Sequence, residues 1–141
     1  MKLDFEEEHG FIYVRGGDPP RPLIPVTLAG RRGRSVNTYA LLDSGADETM
    51  FHSLWAGRIG LDYKSGKHGI IGGIKSGQPV EGFYHFVQLR VGSTFMRCEV
   101  FFSDGIGDAW DDQLIGRSVV FERMRFAFRG QIDMTYLGKE R

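Results

Sequence analysis

One cysteine among 141 residues, Cys98, excludes an internal disulfide and fits a reducing compartment. Charge of one sign is not in excess either. With 18 Lys and Arg against 18 Asp and Glu, no net field recruits nucleic acid or an anionic membrane. The opening residues, MKLDFEEEHG, lack the basic start and apolar run of a secretory signal. No apolar stretch approaches the ~20 residues of a membrane-spanning helix. His9, His52, His68 and His85 show no metal-ligand spacing and Cys98 has no nearby partner, so neither zinc nor another cofactor is expected. No Gly-x-Ser-x-Gly is present. What remains is the expectation of a soluble, cytoplasmic protein with one domain over residues 1–141.

Glycine is abundant instead, at 20 residues, about twice its usual share of ~7%. The glycines are spread along the chain and punctuate short apolar runs, as in an all-β domain with many tight turns. Phe11–Val14 reads as a first strand. "LIPVTLAG" (23–30) and "SVNTYALLD" (35–43) flank "RRGR" as a hairpin with Gly33 in its turn. The arginines at 31, 32 and 34 are expected in that solvated turn. From Phe83 to Val91 the residues alternate with period two: Phe83, His85, Val87, Leu89 and Val91 face one way, and Tyr84, Phe86, Gln88 and Arg90 the other. "GS" (92–93) turns this strand into the next, where Met96, Cys98, Val100 and Phe102 share a side. Short helices are expected at "SLWAGRI" (53–59), closed by Gly60, and at "RSVVFERM" (117–124), with Val120, Phe121 and Met124 on one face. A hairpin, "MRFAF-RG-QIDMTYL", ends the chain, and "DFEEEH" near the start reads as a solvated arm.

The chemistry concentrates in "ALLDSGADETMF" (40–51). An apolar strand runs into Asp43, where desolvation acts hardest on the ionised form. Gly45 permits a backbone bend, and Ser44 offers a hydroxyl to neighbouring backbone. One carboxylate alone does little to a peptide bond. Two that share a proton perform acid and base work together: the ionised one takes a proton from water while the protonated one donates to the carbonyl oxygen. The chain holds a single Asp-Ser/Thr-Gly, and "SDG" (103–105) has the wrong order. A working pair therefore needs Asp43 of a second copy across a two-fold axis. By itself the tripeptide also suits an exposed turn with an Asx-type hydrogen bond.

Three blocks in order make the chain resemble the retropepsin-like aspartic proteases. They are "RPLIPVTLAG" with "ALLDSGADETMF", then "GIIGGIK" (69–75) returning at "YHFVQLRV", then "QLIGRSVVF" (113–121). The likeness spans residues 20–128, with an N-terminal arm and a C-terminal hairpin outside it. It implies a mostly β fold, a closed barrel with a flap hairpin and one or two short helices, working as a symmetric homodimer on extended peptides without a cofactor. By the same resemblance Asp43 matches the catalytic aspartate, and Ser44, Gly45 and Ala46 build its loop. Ser44 braces the two loops across the dimer axis, and Gly45 contacts the substrate backbone. Asp47 binds the substrate main chain and pairs with Arg117, and Glu48 lies beside it. Ile71, Gly72, Gly73 and Ile74 match the flap that closes over substrate. Arg21 matches an arginine directed at the partner subunit's Asp47.

The chain also departs from the viral pattern. Lys75 and Ser76 replace the glycines usual at a flap tip. "FFSDGIGDAWDDQ" (101–113) is long and acidic, and is expected to line the cleft with Trp110 as a wall and Asp108, Asp111 or Asp112 biasing specificity. The stretch from Phe126 to Leu137 exceeds a viral C-terminal strand and is expected to carry a dimer contact. A self-starting chain of this kind suggests a cellular or bacterial relative. The competing readings are a catalytically silent dimeric module that grips peptides, and a monomeric structural barrel. An intact Asp-Ser-Gly-Ala and Arg117 favour the enzyme, for which paired acids predict a bell-shaped dependence of activity on pH.

Overall fold

Alternation of apolar and polar residues sets most of the strands, and glycine or a short helical turn ends them. The structure is a computed structural model that describes residues 10–13, 20–75 and 77–139, with backbone alone at 73–75 and 139. Its strands are β1 (Gly10–Ile12), β2 (Leu23–Ala29), β3 (Ser35–Leu42), β4 (Thr49–His52), β5 (Lys67–Lys75), β6 (Gln78–Val91), β7 (Thr94–Ser103), β8 (Leu114–Ile115), β9 (Met124–Arg129) and β10 (Met134–Lys139). Val14, Ser76 and the acidic arm of residues 4–9 lie outside the described residues.

A seven-stranded sheet runs β2-β3-β8-β4-β7-β6-β5, and β2 also pairs with β6. Strand β6 makes this possible by its length of 14 residues. One of its edges follows β7 from Phe83↔Phe102 to Val91↔Thr94. The other edge pairs first with β5, from Lys67↔Tyr84 to Ile71↔Val80, and then with β2, from Ala29↔Gln88 to Val26↔Val91. The sheet thus curls back on its own starting strand. The expected alternation holds: Val87, Leu89 and Val91 are buried, as are Met96, Cys98, Val100 and Phe102, while Phe86, Gln88 and Arg90 are exposed.

The apolar interior joins Ile24, Leu28, Leu42, Phe51, Phe102 and Ile115, closed by α1 (Ser53–Arg58), which buries Trp55 and Ala56. His52 caps this helix, its Nδ1 accepting from Leu54 N–H at 3.1 Å. A second cluster of Met50, Val80, Phe101 and Ile106 packs with Ala46, Ile71, Tyr84 and Leu114.

The helix expected at 117–124 is short and kinked, running over residues 117–123 with Ser118 extended (ψ 128°) and Val119 at φ 67°. Arg117 and Ser118 donate their N–H groups to Ala46 and Asp47 carbonyls at 2.9 Å each, which holds this backbone away from helical values. Val119 absorbs the change of direction in a region that β-branched residues rarely occupy. Val120 and Met124 are nevertheless buried, as the apolar spacing predicts. At the far end β1, β10 and β9 form a separate antiparallel sheet, which leaves Ile12, Phe128 and Ile132 exposed. The hairpin expected at the C-terminus is therefore present, and the first strand joins it. Among the described residues no helix is long and apolar enough to cross a membrane.

Candidate active site

The acid at the end of β3 is fixed by backbone before its side chain is considered. Leu42 pairs with Ile115 of β8, and Asp43 N–H continues that pairing to Ile115 C=O at 3.0 Å. Ala46 N–H then donates to Asp43 C=O at 3.2 Å, closing a turn. Inside the turn, Gly45 N–H donates to Asp43 Oδ1 at 2.8 Å, an Asx-type bond that orients the half-buried carboxylate. Ser44 and Gly45 are exposed.

The second half of the loop is held from residues 116–118. Besides the two bonds to Ala46 and Asp47, Gly116 N–H donates to Thr49 Oγ1 at 3.2 Å. Gly116 passes so close that a Cβ there would strike the Glu48 backbone. Arg117 Nη2 donates to Asp47 Oδ1. These two side chains are 57% and 80% exposed. At that exposure an ion pair contributes under ~1 kcal/mol, so its effect is to orient the loop.

Facing the loop is a cleft of about 320 Å³. Asp43, Gly45, Ala46, Asp47 and Glu48 line one side of it; Met50 and Leu114 contribute too, and Ile71 and Gly72 come from β5. The β5–β6 register shifts between Ile71 and Lys75, which places Gly72, Gly73 and Ile74 in the irregular part of that hairpin.

Three carboxylates therefore share one cleft with different partners. Asp47 has Arg117. Glu48 Oε2 accepts from Tyr84 OH at 2.7 Å. Asp43 is bonded by the Gly45 N–H. Burial pushes the Tyr84 phenol above its ordinary range; the hydrogen bond to Glu48 and that carboxylate's charge add to the shift. Burial likewise pushes the Cys98 thiol up to about 11, against a lowering hydrogen bond with Thr49, so it is not a nucleophile at neutral pH.

A solved structure titled EIAV protease complexed with the inhibitor HBY-793 is similar to the chain, with a TM-score of 0.55 and 21% identity over 77% of this chain and 93% of that one. The fold is retropepsin-like. No protein-family model matches the sequence, and no curated protein matches it. At 21% identity the likeness speaks for the fold alone.

Within this retropepsin-like fold Asp43, Gly45, Ala46, Asp47, Glu48, Ile71 and Gly72 converge on the cleft, and Arg117 stands behind it. Trp110 is placed elsewhere. Its ring packs on Tyr39 with centroids 4.7 Å apart, and it does not line the cleft. In the acidic loop Asp111 pairs with Arg21 at 3.6 Å, and Asp112 Oδ2 accepts from Ala109 N–H at 3.2 Å. Arg21 thus has an acid of its own chain beside it. Tyr84 and Gln113 escaped the sequence reading. Buried Gln113 accepts from His52 N–H at 2.6 Å and donates to Gly107 and Ala109 carbonyls at 2.9 Å each, fixing the start of β8. A polar residue just before the apolar "LIG" was its only signal.

Proposed function

We propose that the chain is an aspartic endopeptidase that hydrolyses peptide bonds in extended polypeptides, with Asp43 and the Asp43 of a second copy forming one dyad. The observation that carries this reading is the division of labour among the cleft acids. Asp47 and Glu48 are engaged by Arg117 and Tyr84, whereas among the described residues Asp43 is oriented by a backbone N–H alone and keeps a face open to the cleft. An acid presented in this way needs a mate, and a two-fold axis supplies an identical one. Water then adds to the scissile carbonyl. One carboxylate takes the water proton while the other donates to the carbonyl oxygen, and the roles reverse as the amine leaves. The hairpin of β5 and β6, bearing Ile71, Gly72, Gly73 and Ile74, acts as the flap that shields the substrate. Exposed Ile12 and Phe128 on the three-stranded sheet, with Ile132 in the turn between β9 and β10, suit a subunit contact.

The test is a diverse peptide pool read by mass spectrometry, with sedimentation in parallel. The wild type should cleave as a particle of twice 15.9 kDa. Asp43→Asn should keep that size while cleavage falls by about a thousandfold or more. Undiminished turnover by the variant refutes the assignment, and peptides retained without cleavage by the wild type indicate a binding module.

A further inference from the structure

Among the described residues the cleft is lined by three carboxylates and by no lysine, arginine or histidine. Asp47 is neutralised by Arg117, and on the reading above Asp43 is committed to the dyad. Glu48 is left over. One of its oxygens is bound by Tyr84, and the other takes no protein partner among the described residues. We propose that Tyr84 is a positioning residue that holds Glu48 as the selector of a cationic side chain, Lys or Arg, beside the scissile bond of the substrate. The proposal rests on the peptide-cleft reading and adds to it a substrate class and the residue that sets it.

Both partners are held independently of any ligand. The Tyr84 ring packs on Phe101 with centroids 5.1 Å apart. Its other side is covered by Gly69 of β5, where a Cβ would collide with the ring. A phenol wedged in this way carries its hydroxyl at a fixed height above the sheet. Partial burial also keeps it protonated, so it donates at any working pH. Glu48, for its part, has its backbone pressed against Gly116. The carboxylate is thus anchored at both ends, and rotamer entropy that a free glutamate would lose on gripping a cation is already spent. A fixed, half-buried carboxylate with an open oxygen favours an ammonium or guanidinium and repels an acid at the same position.

The test uses matched extended peptides that carry Lys, Gln or Glu at single positions around one cleavage site. Wild-type cleavage should favour Lys over Glu at one position by about tenfold or more. Glu48→Gln should collapse that ratio to near one, and Glu48→Lys should invert it. Tyr84→Phe keeps the ring and removes the hydroxyl; it should lower the ratio about threefold or more, through KM for the Lys peptide, with an unchanged melting temperature. A merely structural tyrosine would change all peptides alike. Cleavage without charge preference at every position overturns the proposal and leaves the protease reading standing, as does a Tyr84→Phe protein with the full ratio. If the wild type cleaves nothing, the protease reading fails, and fluorescence anisotropy of the same peptides decides this one. Tighter binding of the Lys peptide, lost in Glu48→Gln, supports it; equal affinity for Lys and Glu peptides overturns it.

Discussion

Residues 43–48 and the β5–β6 hairpin meet across one cleft, and their backbones are secured by different means. The loop is bonded to a segment some seventy residues away. Asp43, Ala46, Asp47 and Thr49 each share a hydrogen bond with residues 115–118, and Gly116 lies flat against Glu48. The hairpin is tied at its base, where Phe83 and Tyr84 pair with β7 and Ser103 Oγ donates to Glu81 C=O at 2.5 Å, and beyond that its own ladder is regular from Lys67 to Ile71 and then shifted in register. Its base is fastened, with Gly69 under the Tyr84 ring and His68 Nε2 3.6 Å from Glu81. Nearer its tip a Cβ on Gly72 would meet nothing within 4 Å among the described residues. Acid–base chemistry needs reacting groups placed to a fraction of an ångström, whereas a cover over a peptide needs room to approach and withdraw. The contrast in construction matches that contrast in demand.

The sharpest way to break the comparison is to loosen the rigid side. Gly116→Ala puts a methyl group into the backbone of Glu48, where no side chain can move aside. Overpacking of this sort costs about 3 kcal/mol. Urea unfolding should show that loss as a lower midpoint at constant slope, with peptide cleavage falling alongside. A variant as stable as the wild type would mean that the loop and residues 115–118 are not packed as described.

A smaller effect separates orientation from stability. In Arg117→Lys the planar fork that holds Asp47 is replaced by a point charge. The pair is mostly exposed, so unfolding should change by less than ~1 kcal/mol. If the pair's role is to orient the loop, peptide cleavage should still fall by roughly ten- to a hundredfold. Equal turnover in the two proteins would reduce Arg117 to a surface charge.

Solvent exposure explains what was legible in the sequence. One face of β6 and β7 meets water, so their alternation is written in the residue types, from Val87 to Val91 and from Met96 to Val100. It breaks at the end of β7, where Phe101 and Ser103 are as buried as Phe102 because Met50, Val80 and Ile106 cover the second face. No local pattern announces a cover that comes from distant segments. The kink in the stretch 117–124 was not legible for a related reason. Its apolar spacing suits a helix, yet Arg117 and Ser118 are drafted into bonding residues 46 and 47, and that demand lies far off in sequence. Tyr84 was placed on the correct face but without its partner Glu48. Trp110 was assigned to the cleft because aromatic residues in acidic loops suit one, while Tyr39 offered a closer surface. In the candidate site, then, Asp43, Asp47, Arg117 and the glycines of β5 were readable as local motifs. The partner choices of single polar and aromatic side chains depend on three-dimensional proximity and were not.

The gentlest test falls on the open side. At Gly72 a methyl group has free space, and the backbone is not in the left-handed region. Alanine there also narrows the unfolded ensemble, so Gly72→Ala should leave stability unchanged or raise it by about 0.5 kcal/mol. Its consequence should appear only with substrate present. Gly72 lines the cleft opposite the Asp43 loop; on the proposed function, a methyl group between the hairpin backbone and a peptide backbone should lengthen their hydrogen bonds and raise KM by about three- to tenfold. Thermal unfolding and peptide kinetics on one preparation give both numbers. Gly116→Ala and Gly72→Ala add the same atom on the two sides of the cleft. If both variants lose stability, or both keep it, the division into a fixed half and an open half fails.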